Sequence, residues 1–111
     1  MKLTQTNTTT IDPMAECALV FKKIKAELPV AQCFAFGSAV SNNFHADSDL
    51  DLLLVFNDEH DLKNIQKKIY SKRWSTLPID FILKNKTEFD QRKIIGGVCF
   101  EAYHNGKELF E

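Results

Sequence analysis

At 111 residues, 44% hydrophobic and 26% charged, with a net charge of −1, the chain reads as one domain with a real core and little room for a second. The near-neutral balance excludes a large electrostatic footprint on nucleic acid or an anionic membrane. No apolar run approaches the ~20 residues that span a bilayer and no signal-peptide core opens the chain, so a cytoplasmic protein is expected.

Thr4 to Thr10 are nearly all Thr, Gln and Asn and offer nothing to bury, which predicts a flexible tail over residues 1–12 ahead of a single domain over 13–111. Asp12-Pro13 has the form of an N-cap followed by a first-turn proline. Ala18, Leu19, Phe21, Ile24 and Leu28 then recur at helical spacing with lysines between them, predicting an amphipathic helix that ends near Pro29. Val30 to Phe36 is apolar and aromatic, as a buried strand would be, and Gly37-Ser38 stops it; a short helix is able to start at Ser38.

Leu50 to Phe56 is apolar on both faces, the pattern of a central strand, and Asn57-Asp58 breaks it. Leu62, Ile65, Ile69 and Trp74 trace a second helix, and Pro78 to Leu83 a third strand. Phe89, Ile94 and Ile95 belong to a short helix or an ordered loop. Val98, Ala102 and Tyr103 suggest a last helix with a left-handed cap at Asn105-Gly106, then an edge strand at Leu109-Phe110. A hairpin turning at Asn105-Gly106 is the competing reading. Strands separated by helices give an α/β or α+β domain, a small mixed sheet with helices packed on it. Nine Phe suggest a Phe-rich core, and three scattered cysteines without C-x-x-C spacing read as reduced, buried thiols.

Chemistry concentrates between Phe34 and Phe56. Side chains alternate along a strand, so Asp49 and Asp51 point to one side, roughly 6–7 Å apart. Like charges there, next to Leu52, Leu53, Leu54 and Val55, raise each other's proton affinity unless a cation compensates, and Mg²⁺ prefers such oxygens. The plain alternative is a turn-capping Asp beside a solvated one. Asp80, between Ile79 and Phe81 in an apolar strand, is costly if buried unpaired; it either shares the cation or sits on the exposed face of an edge strand. Gly37 lets backbone approach a ligand, and Ser38 offers a hydroxyl and N–H groups to phosphate. His45, Lys84 and Lys86 are solvated or contact phosphate, and Phe44 packs under its loop or stacks on a base.

Gly37-Ser38, ten residues, then Asp49-x-Asp51 resembles the signature of the DNA-polymerase-beta-type nucleotidyltransferases, and Asp80 stands where that superfamily places a third carboxylate. The size and the ending, Asn105 to Phe110, resemble the minimal, MNT-type antitoxin-like branch. The resemblance implies Asp49, Asp51 and Asp80 as catalytic and metal-ligating residues of a two-metal Mg²⁺ site, with Gly37 and Ser38 at the triphosphate of ATP. It implies transfer of a nucleoside monophosphate, AMP above all, to a protein or small-molecule hydroxyl. It also implies a HEPN-type toxin as partner; a homodimer and a hetero-oligomer are both left open. Ala39 stands where the family commonly has a basic residue, so the alternative is a nucleotide-binding antitoxin that acts by contact without turnover.

Overall fold

The computed structural model describes residues 12–110; apart from Asp12, the tail expected over 1–12 lies outside them. Helix α1 spans Pro13–Lys25, and the Asp12 carboxylate accepts from the N–H groups of Met14 and Ala15 at 3.0 and 3.3 Å. The helix stops at Lys25, short of the end predicted near Pro29, and continues as a turn in which Glu27 donates to Ile24 at 3.0 Å. Leu28 still donates to Ile24 at 2.8 Å and its side chain stays in the core.

Strand β1 (Val30–Phe36), the one-turn helix α2 (Ser38–Ser41) and strand β2 (Leu50–Phe56) fall where the sequence places them. Helix α3 covers Leu62–Ile69 and is shorter than predicted. Trp74 coincides with its period but lies beyond it, buried in the connection, where the indole donates to the Ile69 carbonyl at 2.7 Å. The same connection is tied to α1 by buried Ser75, whose hydroxyl donates to Glu16 at 2.7 Å and accepts from the Leu77 N–H at 3.0 Å.

Strand β3 (Ile79–Asn85) leads into helix α4 (Lys86–Arg92), then α5 (Val98–Asn105) and a two-residue strand β4 (Lys107–Glu108). Phe89 lies in the short helix α4, and Ile94 and Ile95 lie in the ordered turn after it, 71% and 78% exposed. Two expectations fail here. The edge strand expected at Leu109-Phe110 falls at Lys107–Glu108. Gly106 is extended (φ −86°, ψ −170°) and no left-handed cap forms. Glycine is needed there for space instead: a Cβ would fall 2.4 Å from the Ala102 carbonyl oxygen and 2.5 Å from that of Ala35. The hairpin alternative is replaced by α5 followed by pairing of β4 with β1, at Phe34↔Glu108 and Ala35↔Lys107.

The sheet order is β3-β2-β1-β4, with β2 and β3 parallel and the other pairs antiparallel. It is a mixed sheet in a small α+β domain. Leu50, Leu52, Leu54 and Phe56 face α1 and α3, packing on Val20, Phe21, Ile24, Ile65 and Ile69. Leu53 and Val55 face α4 and α5, with Phe34, Phe36, Phe89, Cys99 and Ala102. Helices on both faces explain why β2 is apolar throughout. No helix among the described residues is long and apolar enough to cross a membrane.

Cys17, Cys33 and Cys99 are free and buried. Burial, reinforced by the Asp51 charge, pushes the Cys17 thiol up to about 12, and burial raises Cys33 and Cys99 as well. Thiolate is the reactive form. A thiol reagent at pH 8 should therefore label all three only as fast as the fold opens, and in 6 M guanidinium they should react at once. Rapid labelling of any one in the native protein would show that its layer of the core is loose.

Candidate active site

Three strand ends meet on the face that β2 shares with α4 and α5. Asp51 is the second residue of β2 and alternates with Leu53 and Val55, which places it on that face. Asp80 is the second residue of β3 and alternates with Ile82 in the same way. The parallel ladder sets Asp51 directly against Asp80, so the two carboxylates rise side by side from strands whose backbones run about 4.8 Å apart. The ladder opens with the Pro78 carbonyl, which accepts from the Leu50 N–H at 2.9 Å, and runs to Phe56↔Asn85. That opening contact was missed in the sequence, where the only signal was a proline at a strand start.

Gly37 closes the site from the third side. Phe36 at the end of β1 pairs with Asp51, and the chain then turns at Gly37 with φ +72°, ψ −145°. A Cβ on Gly37 would fall 2.3 Å from Asp51 Oδ2. The glycine thus supplies a conformation that side chains avoid and also the space the carboxylate occupies. Ser38 follows as the first residue of α2, partly buried beside it.

The electrostatics are uncompensated. Asp51 is half-buried, and its carboxyl is held above the ordinary carboxylate range by burial first, then by the charges of Asp80 and Asp49. Asp49 lies one residue before β2 and is exposed. Among the described residues none of the ion pairs involves Asp49, Asp51 or Asp80.

Of the two alternatives the sequence leaves open for Asp80, the structure has the exposed face of an edge strand, so its placement beside Asp51, and not a burial cost, is what marks it. Nor are the three carboxylates gathered into a ready-made cage: among the described residues no three His, Cys, Asp or Glu side chains are arranged to hold a metal ion. The donor set still suits a hard divalent cation, since two registered carboxylates lack a positive partner.

The remaining candidates are committed elsewhere. Lys84 pairs with Glu88 at 3.2 Å, while Lys86 pairs with Asp90 at 2.9 Å and donates to Gln32. His45 Nδ1 accepts from the Asp47 N–H at 3.2 Å, which orders its own exposed loop. Phe44 packs against the core beneath that loop. Ala39 is itself buried in the core cluster, so its position in α2 presents nothing to a phosphate.

Comparison with known proteins gives the same assignment from outside. Among curated proteins no match is found. A candidate nucleotidyltransferase from Sulfolobus solfataricus, known as a crystal structure, superposes with a TM-score of 0.51 at 16% identity over 75% of this chain and 82% of that one, a likeness of fold. Residues 17–101 match the model of the nucleotidyltransferase domain, a span that runs from α1 into α5 and contains Gly37, Ser38 and all three aspartates. The chain belongs to the nucleotidyltransferase domain family and is a transferase of nucleotidyl groups.

Proposed function

We propose that this protein transfers a nucleoside monophosphate, AMP from ATP, to a hydroxyl of a protein or small-molecule acceptor. The observation that carries the reading is the registered pair Asp51–Asp80 facing the Gly37 turn, with neither carboxylate in an ion pair among the described residues. Asp49, Asp51 and Asp80 are the residues to hold Mg²⁺, which when bound neutralises charge on the phosphate oxygens. Gly37 and Ser38 lie against the triphosphate, with Gly37 admitting close backbone approach. The acceptor oxygen bonds to the α-phosphorus as the bond to pyrophosphate breaks, and Asp80, the most open of the strand carboxylates, either completes the metal site or takes the hydroxyl proton.

The resemblance of the Asn105 to Phe110 segment to the minimal, MNT-type branch supports an antitoxin role beside a HEPN-type toxin, with a toxin hydroxyl as acceptor. A second reading, masking of that partner by contact alone, is favoured by one observation: Ala39, directly after Gly37-Ser38, is buried, so that position brings no positive charge to the phosphates.

The test uses the whole chain with labelled ATP, Mg²⁺ and the partner encoded beside it. Label should appear on the partner, and Asp49→Ala with Asp51→Ala should remove it. Mg²⁺ alone should raise the melting temperature of the native protein and not of the double variant, by linkage. Transfer that survives the double change would end the site assignment. Full neutralisation by a variant that transfers nothing would favour contact masking.

A further inference from the structure

The two edges of the sheet differ in kind. On one side β4 is only two residues long, a blunt edge of the sort that discourages further pairing. On the other, β3 presents Ile79–Asn85, and among the described residues no strand lies beyond it. The bond from the Leu50 N–H to the Pro78 carbonyl fixes the phase of the ladder. In that phase the main-chain groups of Asp80, Ile82 and Lys84 face β2, and those of Ile79, Phe81 and Leu83 face outward without a strand partner. A groove of about 280 Å³ runs along this edge, lined by Leu62, Gln66, Tyr70, Phe81, Ile82 and Leu83. Tyr70 stands 58% exposed there, its ring edge-on to Phe81 at 6.0 Å.

We infer that this edge pairs with β3 of a second copy of the same chain, antiparallel, about a two-fold axis at Ile82. The inference goes beyond nucleotidyl transfer and does not depend on it. Charge complementarity selects both the occupant and the register. With Ile82 opposite Ile82, the outward main-chain groups of Phe81 meet those of Leu83 of the second copy, forming hydrogen-bonded pairs. Asp80 and Lys84 then fall opposite each other as non-hydrogen-bonded pairs, the positions where side chains come closest. The two-fold axis makes this charge pair twice. A shift of two residues either way sets a charge against Ile82 instead. A run of like charges along the strand would repel its own copy, whereas one acid and one base, symmetric about Ile82, attract it. In its own chain Lys84 also meets Glu88 at 3.2 Å, an i,i+4 pair of little strength whose charge is shared with Asp80 of the second copy.

Sedimentation should give twice the chain mass of 12.7 kDa. Because the three native thiols are buried, cysteines introduced on β3 report the axis. Ile82→Cys should form an intermolecular disulfide under mild oxidation, since its Cα faces its own copy at about 4.5 Å, whereas Asp80→Cys, set against position 84, should not. Asp80→Lys and Lys84→Asp should each weaken the dimer about tenfold or more, and the two together should restore it. The proposal is overturned if the native chain stays at 12.7 kDa up to about 1 mM. Equal cross-linking at 80 and 82, or a double swap no tighter than the single ones, overturns it as well.

Discussion

Asp51→Asn should cut nucleotidyl transfer on the order of 10³-fold, the scale of losing one preorganised electrostatic group, while making the fold more stable at neutral pH. The two effects share a cause. Asp51 is held above the ordinary carboxylate range by burial and by the charges of Asp80 and Asp49. The folded state therefore keeps the proton to a higher pH than the unfolded state does. That stability is fully present below the ordinary carboxylate range and is lost as pH rises through the raised value. Asparagine carries no such loss. At pH 7 the variant should melt roughly 1–4 °C higher, and the gap should shrink as pH falls, closing below the ordinary carboxylate range. Mg²⁺ should narrow the gap at pH 7 by stabilising only the native protein. A variant that melts lower than the native protein at pH 7 would mean that Asp51 stabilises the fold, contrary to its uncompensated surroundings.

Gly37→Ala should destabilise the protein by about 2–4 kcal/mol, a fall in melting temperature of roughly 10–20 °C, and should abolish transfer. One part of the cost is backbone, since φ +72° with ψ −145° is a glycine conformation. The other part is steric, because the new Cβ would lie 2.3 Å from Asp51 Oδ2. A double-mutant cycle with Asp51→Ala separates them. Removing the carboxylate should recover about 1 kcal/mol of the loss and leave the backbone part in place. Strict additivity would show that the carboxylate moves aside at no cost, and Gly37 would then matter for its backbone alone.

Much of this was legible from residue types because burial on both faces leaves a plain mark. Val30–Phe36 and Leu50–Phe56 are apolar runs closed by Gly37 and by Asn57, and both strands appear with those bounds. The Asp49-x-Asp51 pair and the Gly37 turn were visible for the same reason, as polar residues at the ends of such runs. What was not visible depends on the third dimension. The register that sets Asp80 against Asp51 belongs to a parallel ladder reached through the crossover of α3, which no local pattern encodes. Trp74 continued the helical period by coincidence while packing from a loop. Gly106 had the neighbour and position of a left-handed cap, but its reason is two carbonyl oxygens, one of them far away in sequence on β1.

The β2–β3 ladder also sets the order in which the protein becomes functional. Gly37, Asp49 and Asp51 are brought together by antiparallel pairing of β1 and β2 across a short loop, a contact of low closure cost. Asp80 arrives only when α3 has formed and β3 docks in parallel, the slower kind of pairing. Refolding is therefore expected to form the glycine turn and two carboxylates before the third, with transfer activity recovering last as the sheet's outer strand closes.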